Sequence, residues 1–346
     1  MPRTSEPWLD YKRAMTTTAS ERAKRDRLRS LLRQYESVLV GYSGGVDSVL
    51  VAAVALAELG PERVLAVTGR SASLAGWMEA TAREVARRLG VPWVEIDTNE
   101  LADPRYAANA PDRCFYCKNE LWGKLTALAA ERGLRTVVDG TNADDALAER
   151  PGWAAGQRWG VRSPLREAGL TKAEVRRWSR DLGLPTWDAP ASPCLASRVV
   201  HGLAVTPGRL QQIELAERAL RRDGWRDLRV RHHGNLLRLE VPPEEVTAAA
   251  AAWPRVRAAL RTAAPDCAVG LDPLGYRGAR AGAAADGVAM LATTGAEVVL
   301  RGAARDVAWV RAPAAAFLRL VETGGGLVAA LCRGGVRFVA VDTTDA

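Results

Sequence analysis

Ser37-Val-Leu-Val-Gly-Tyr-Ser-Gly-Gly-Val-Asp-Ser48 sets a short apolar strand directly before two adjacent glycines and the start of a helix. Strand, glycine loop and helix in that order aim backbone N–H groups and the positive end of a helix dipole at one point, which favours a bound anion. Gly44 and Gly45 leave no Cβ between backbone and phosphate. Ser43 and Ser48 offer hydroxyl donors, the backbone continues through Val46 into the helix, and Asp47 can help hold a magnesium ion. The Gly-Lys-Ser/Thr ending of a Walker loop is missing, so γ-phosphate hydrolysis is not the chemistry expected. A glycine turn serving only strand-to-helix packing is the plainer alternative.

Outward from this loop the pattern alternates. A helix is expected from about Asp47 to Leu59, a strand over Arg63–Thr68, a helix from Leu74 to Leu89, and a strand over Pro92–Asp97. A longer connection through Arg113–Lys118 enters a helix ending near Arg132, and Leu134–Asp139 reads as a fourth strand. Such alternation implies an α/β fold with a doubly wound parallel sheet. Thr171-Lys-Ala-Glu174 has the capping-box spacing and opens a helix that Gly183 and Pro185 stop near Leu182. Between Thr206 and Leu274 the order becomes helix, strand, strand, helix, strand, a smaller α+β domain. The expected organisation is a helical segment 1–36, a nucleotide domain 37–200, a substrate or oligomerisation domain 201–277, and 278–346 as linker and C-terminal extension. Gly278–Gly287 reads as the linker, Glu297–Leu300 and Val336–Val341 as strands, and no internal repeat is visible.

A length of 346 residues suits one nucleotide-sized domain plus a smaller one, and 48% hydrophobic with 25% charged residues is a globular composition. No apolar run approaches the roughly 20 residues of a membrane span, and Met1–Arg29 lacks the apolar stretch of a signal peptide. A cytoplasmic protein without a membrane partner is expected. The charge of +8, from 48 Lys and Arg against 40 Asp and Glu, favours anionic partners, either phosphorylated small molecules or RNA.

Five cysteines argue for thiols kept for chemistry or metal rather than for a disulfide framework. Cys114 and Cys117 in Arg113-Cys-Phe-Tyr-Cys-Lys118 could reach one metal from the mouth of a helix. Cys194 lies in a loop that in a doubly wound sheet could return over the carboxyl ends of the strands. Three thiolates without a fourth ligand suit a [4Fe–4S] iron–sulfur cluster with one open iron, where a sulfide could be bound and handed on. A packing or redox pair and a lone thiol are the alternatives. Cys267 and Cys332 sit in apolar surroundings and read as buried small hydrophobes. His232 and His233, as strand neighbours, point to opposite faces and cannot easily share a ligand.

Ser43-Gly-Gly-Val-Asp-Ser48 matches the PP-loop signature, and that resemblance implies cleavage of ATP between the α and β phosphates with adenylation of a substrate oxygen. Four further motifs follow in order: Arg113-Cys-Phe-Tyr-Cys-Lys118, Asp139-Gly-Thr-Asn-Ala-Asp-Asp145, Gly160-Val-Arg-Ser-Pro-Leu165 and Pro190-Ala-Ser-Pro-Cys-Leu-Ala-Ser-Arg198. With them the chain, over roughly Leu28 to Arg277, resembles the LarE family. These are ATP-dependent sulfur transferases that help build the nickel-pincer nucleotide by converting carboxylates of a pyridinium biscarboxylate mononucleotide to thiocarboxylates. The resemblance implies that the cysteine matching Cys194 supplies or presents the sulfur. In one version it gives up its own sulfur and ends as dehydroalanine; in the other, three cysteines hold a cluster that delivers sulfide repeatedly, and Cys114 and Cys117 match that version.

A carboxylate becomes a good electrophile once AMP is its leaving group, and thiolate or sulfide is a strong nucleophile. Arg198, Arg229 and Arg277 are candidates for the substrate phosphate and carboxylates because guanidinium groups bind both bidentately. Glu217 and Glu240 could lie near a bound cation. Asn142, Asp144 and Asp145 follow the fourth strand at the end where open α/β sheets bind ligands, so nucleotide or magnesium contact is expected. Asp112 and Arg113 could flank a ligand beside the cysteines. The expected partners are a nucleotide-like carboxylate, a sulfide source and further copies of the chain in a homo-oligomer, without nucleic acid. The rivals are a tRNA thiolase, which lacks a dedicated RNA-binding module here; an ammonia-dependent amidating PP-loop synthetase, which needs no cysteine triad; and a non-enzymatic nucleotide sensor on the same fold.

Overall fold

Val38, Leu39 and Val40 are wholly buried, as a parallel strand with helices on both faces must be. The computed structural model describes residues 18–145, 151–276, 291, 294–333 and 336–344, and the chain divides into two units after Pro193.

In the first unit, Thr18 caps α1 (Ala19–Tyr35) by accepting the Glu21 N–H at 3.1 Å. Leu28, Leu32 and Tyr35 on α1 enter the same core as β1 (Val38–Gly41) and α2 (Val46–Leu59), so this helix is part of the nucleotide fold. β2 (Val64–Arg70), α3 (Gly76–Leu89), β3 (Trp93–Asp97), the short α4 (Pro104–Ala107), α5 (Arg113–Glu131) and β4 (Thr136–Val138) follow. α6 (Pro151–Arg158), the short α7 (Pro164–Glu167) and α8 (Lys172–Asp181) complete it. The four strands lie in the order β3-β2-β1-β4, all parallel. Val38 and Val40 face the core shared with α1, α2 and α8, whereas Leu39 faces Trp122 and Leu125 of α5 and Ala155 of α6. Truncating Leu39 to alanine is expected to cost about 2–5 kcal/mol.

The capping box forms as its spacing predicts: Thr171 N–H reaches Glu174 Oε2 at 2.8 Å and Glu174 N–H reaches Thr171 Oγ1 at 3.3 Å. The strand order reverses between β1 and β4, the crevice where open parallel sheets bind their ligands. Among the described residues no single helix is long and apolar enough to cross a membrane.

The second unit comprises a 3-10 turn over Leu195–Arg198, α9 (Pro207–Arg222), β5 (Arg229–His232), β6 (Leu236–Glu240), α10 (Val246–Ala251), α11 (Trp253–Ala263) and β7 (Ala268–Leu271). It continues through β8 (Glu297–Arg301), β9 (Val307–Ala312), α12 (Ala314–Glu322), α13 (Gly324–Arg333) and β10 (Phe338–Thr343). All six strands form one sheet in the order β5-β6-β7-β10-β9-β8.

Two expectations are corrected by this sheet. The stretch 278–346, read as linker and extension with strands at Glu297–Leu300 and Val336–Val341, supplies half of its strands, and Gly278–Gly287 itself lies outside the described residues. A repeat that the sequence does not show is also present. An antiparallel hairpin, two helices and a strand parallel to the second hairpin strand occur once as β5-β6-α10-α11-β7 and again as β8-β9-α12-α13-β10. The halves meet antiparallel at Leu271 and Val341. At this seam a Cβ on Gly270 would stand 2.7 Å from Ala340 Cβ, so glycine lets the strands approach. Repetition of burial pattern without repetition of residues leaves no trace a reader of the sequence can match.

Candidate active site

The phosphate loop sits at the reversal between β1 and β4. Ser48 Oγ donates to Gly45 O at 3.1 Å and accepts the Ser43 N–H at 3.2 Å, while Ser43 Oγ accepts the Gly45 N–H at 3.3 Å. These bonds shape the loop from within, leaving α2 to begin at Val46 with no side-chain cap. The first-turn N–H groups of α2, which have no intrahelical acceptor by position, are what a phosphate would receive. Gly44 takes φ +71°, and a Cβ there would lie 2.7 Å from Ala82 Cα, so only glycine fits against α3.

Asp47, in the first turn of α2, is held from two directions. Asn142, buried in the loop after β4, donates its Nδ2 to Asp47 Oδ1 at 3.2 Å, and the Lys172 ammonium donates to Oδ2. Asn142 is fixed in turn, its Oδ1 accepting the Asp144 N–H at 3.0 Å and its N–H donating to Asp145 Oδ2 at 3.0 Å. Asp144 also accepts the Lys172 N–H at 2.8 Å, tying the β4 loop to the start of α8. Asp47 thus offers one hard oxygen ligand, which suits a magnesium ion that takes its other ligands from phosphates and water. Lys172 brings a cation to the same point. The sequence reading missed it because Thr171 and Glu174 explain the motif as a helix cap; the signal was a lysine at the first position of a helix following the β4 loop.

The cysteine pair occupies the first turn of α5, Cys114 exposed and Cys117 half-buried, one turn apart. Asp112 accepts the Tyr116 hydroxyl at 3.0 Å, and the Arg105 guanidinium lies 4.5 Å from the Tyr116 ring centroid. Arg113, expected beside a ligand, is instead buried and donates to Asn109 Oδ1. Elsewhere in this unit a cavity of about 360 Å³ is lined by Trp153, Arg162, Arg166 and Glu167 among others, and no phosphate-loop residue lines it.

In the second unit, three donors converge on the Cys194 carbonyl: Ser197 N–H at 3.0 Å, Ser197 Oγ at 2.7 Å and Arg198 Nη1 at 3.1 Å. Arg198 is 2% exposed, and its Nε reaches Glu217 Oε1 at 3.0 Å. Glu217 also accepts the Val230 N–H at 3.0 Å. Arg198 was expected to face substrate; burial requires a carboxylate partner, and its guanidinium holds the Cys194 turn. Beside it, Arg231 donates to Ser197 O at 2.7 Å and to Glu240 Oε2 at 2.9 Å, and Arg238 bridges Glu240 Oε1 at 2.5 Å and Asp272 Oδ2 at 2.8 Å. The cations next to Glu217 and Glu240 are therefore arginines of the chain. Arg229 stacks on Tyr276, with its guanidinium carbon 4.5 Å from the ring centroid, and forms no ion pair among the described residues; burial is the main cause lowering its pKa. Arg277 lies outside the described residues.

His232 and His233 face different surroundings, as strand neighbours must. His232 Nε2 lies 2.9 Å from Gln212 Oε1 and its Nδ1 accepts the Gly234 N–H at 3.1 Å; burial, then Arg209, lowers its pKa to about 4. His233 packs edge-on against Phe338, and burial, followed by Arg238 and other cations, lowers its pKa to about 2. Cys267 is buried, which raises its pKa, and Cys332 packs against the second core. Among the described residues no three His, Cys, Asp or Glu side chains are arranged to hold a metal ion.

A glycine loop entering a helix at the reversal of a parallel sheet, with a carboxylate and a lysine at its rim, defines an enzyme of the PP-loop class, which uses ATP with magnesium. The NAD synthase family profile matches residues 22–112, from α1 to the start of α5. A pyridinium-3,5-bisthiocarboxylic acid mononucleotide synthase of Lactiplantibacillus plantarum is 34% identical over 232 residues, 67% of this chain and 83% of that protein. An uncharacterised protein of Synechocystis is 44% identical over 224 residues, 65% of this chain and 83% of that protein. One of Methanocaldococcus jannaschii is 27% identical over 208 residues, 60% and 78% of the two chains. The chain belongs to the LarE family and is an ATP-dependent sulfurtransferase.

Proposed function

We propose that the chain adenylates carboxylates of a pyridinium biscarboxylate mononucleotide and converts them to thiocarboxylates, giving the bisthiocarboxylic acid mononucleotide that the name of its Lactiplantibacillus relative carries. The observation that carries this reading is that one chain holds both a phosphate loop without a Walker lysine and, in its second unit, a thiol whose backbone carbonyl is pinned by three donors. In the first step a carboxylate oxygen attacks the α-phosphorus of ATP and pyrophosphate leaves. The α2 N-terminus, the Ser43 hydroxyl and Lys172 are placed to receive the departing charge, and Asp47 would hold the magnesium, which when bound would supply further positive charge there. In the second step the Cys194 thiolate attacks the acyl carbon and AMP leaves, giving a thioester. Loss of the Cys194 Cα proton then breaks the Cβ–Sγ bond, leaving thiocarboxylate on the product and dehydroalanine in the chain.

The second version of sulfur supply uses Cys114, Cys117 and Cys194 as three thiolate ligands of a [4Fe–4S] cluster, which when bound would supply a sulfide repeatedly from outside the chain. The thiols fit in kind, none being in a disulfide. We assign the substrate to small molecules rather than RNA because Arg25, Arg83, Arg87 and Arg198 are each paired with a carboxylate of the chain, so much of the basic charge is already neutralised. A homo-oligomer in the cytoplasm, where thiols stay reduced, fits the same reading.

The deciding experiment supplies ATP and the mononucleotide to anaerobically purified protein and measures pyrophosphate, thiocarboxylate and the mass of the Cys194 peptide. One product per chain, with the Cys194 peptide lighter by the mass of hydrogen sulfide, identifies Cys194 as donor. Several products per chain, with about four irons that disappear in Cys114→Ala, identify the cluster version. Pyrophosphate without thiocarboxylate in either case refutes the sulfur-transfer reading.

A further inference from the structure

β5 and β8 are the corresponding outer strands of the two repeats, and they end the sheet differently. The β5 edge is occupied: Val199 bridges His232 in parallel, Val200 N–H donates to His232 O at 3.2 Å, and Arg231 holds Ser197 O. β8 pairs with β9 alone among the described residues, every residue from Glu297 to Leu300 is exposed, and Arg301 is half-buried. Val298, Val299 and Leu300 are 43%, 38% and 43% exposed, three of the six exposed large hydrophobics among the described residues, consecutive on one bare edge. A strand of this kind is a template for pairing, and soluble proteins ordinarily blunt such edges with charge, proline or a bulge.

We infer that β8 is the contact strand of a symmetric dimer, pairing antiparallel with β8 of a second copy. The strand is self-complementary. In Glu297-Val-Val-Leu-Arg301 a two-fold axis through Val299 sets Glu297 opposite Arg301 of the other copy at both ends, Val298 opposite Leu300, and Val299 opposite itself. No other antiparallel register brings the two charges together, because residues facing each other must keep a constant sum of numbers.

The surrounding side chains agree with that register. Glu297, Val299 and Arg301 share a face with Trp309 and Arg311, since β8 pairs Glu297 with Arg311 and Val299 with Trp309. Glu297 stands 3.8 Å from Arg311 within its own sheet. Arg301 lies over Trp309, its guanidinium carbon 4.8 Å from the ring centroid, and its buried Nε has no hydrogen-bond partner among the described residues. A second copy places the Glu297 carboxylate between two cations, Arg311 of its own sheet and the Arg301 guanidinium of the copy. On the opposite face, Val298 and Leu300 extend the apolar row that begins with the buried Ala308 and Val310. Two six-stranded sheets then become one, with both edges closed: β5 by the Cys194 turn of its own chain, β8 by its copy.

The test is sedimentation velocity on the full chain over a concentration series, with Glu297→Arg, Arg301→Glu, the double reversal and Val299→Lys. The wild type is expected to self-associate. Each single reversal sets like charges opposite each other twice by symmetry and raises the dissociation constant about tenfold or more, and Val299→Lys does the same at the axis. The double reversal associates more tightly than either single reversal, short of wild type because Arg311 then faces a like charge at position 297. Circular dichroism and ATP-dependent pyrophosphate release serve as controls and are expected to stay unchanged, since β8 is exposed. A wild type that is monomeric throughout, an assembly whose mass none of the variants changes, or a double reversal that associates no more tightly than the single reversals overturns the inference.

Discussion

The Lys172 ammonium donates to Asp47 Oδ2 across 125 residues of sequence, joining the first position of α8 to the first turn of α2 at the rim of the phosphate loop. A lysine so placed neutralises Asp47, and in the proposed reaction it would stabilise charge on the departing pyrophosphate. Replacing it with methionine keeps much of its length and removes the cation. Lys172→Met should lower ATP-dependent pyrophosphate release about 10²-fold, the size of losing one preorganised donor, while the melting temperature changes little. Unchanged turnover would show that the cation serves only the loop.

Gly44 and Gly90 separate two effects of glycine. Both take positive φ, but a Cβ at Gly44 meets Ala82 Cα at 2.7 Å whereas nothing lies within 4 Å of one at Gly90. Gly90→Ala should cost about 1 kcal/mol of stability and leave ATP use intact. Gly44→Ala adds a collision between the loop and α3 and should abolish nucleotide binding, read by calorimetry with a non-hydrolysable ATP analogue.

Arg198 and Glu217 form a buried pair, 2% and 1% exposed at their side chains, so removing one partner strands the other's charge. Glu217→Gln should lose about 3–5 kcal/mol by chemical denaturation. Arg198→Met with Glu217→Leu should recover part of that loss, limited by the Val230 N–H, which is left without its acceptor. Sulfur transfer should stay lost in the double variant because the Cys194 carbonyl no longer has its guanidinium donor, while pyrophosphate release persists. Recovery of thiocarboxylate formation along with stability would mean that the pair is structural only.

His232 and His233 make the fold sensitive to acid. Their folded pKa values, about 4 and about 2, lie below the ordinary 6.5, so between those values the unfolded chain binds more protons than the folded one. Stability is therefore complete above about pH 6.5 and falls as pH drops, by about 1.4 kcal/mol per pH unit for each histidine, until about 4 for His232 and about 2 for His233. Both ring nitrogens of His233 are buried without hydrogen-bond partners among the described residues. His233→Phe should flatten the pH dependence measured between pH 7 and 5 by about one histidine's share and cost nothing at pH 7.

Much of the first unit was legible. The phosphate loop, the alternating strands and helices, and the Thr171–Glu174 capping box are local patterns: each depends on residues a few positions apart, and the structure shows each where its spacing predicts. The roles of charged side chains were not legible. Arg198 and Arg113 read as ligand contacts and are buried with partners at Glu217 and Asn109, while Lys172 read as part of a cap and faces Asp47. A guanidinium or ammonium has the same appearance in sequence whether it ends in water or on a carboxylate.

By itself, then, the sequence determined the phosphate loop, the parallel winding around it and the set of available thiols, because glycine placement, apolar periodicity and residue chemistry act within one or two elements. Only the tertiary structure decided that the stretch from Glu297 to Thr343 repeats the hairpin-helix-strand unit and completes a six-stranded sheet. It also decided which cations are consumed inside the fold and that, among the described residues, β5 is covered while β8 pairs with β9 alone. Those outcomes depend on register and on partners many residues away, where the same local pattern allows several pairings and only the packed whole selects one.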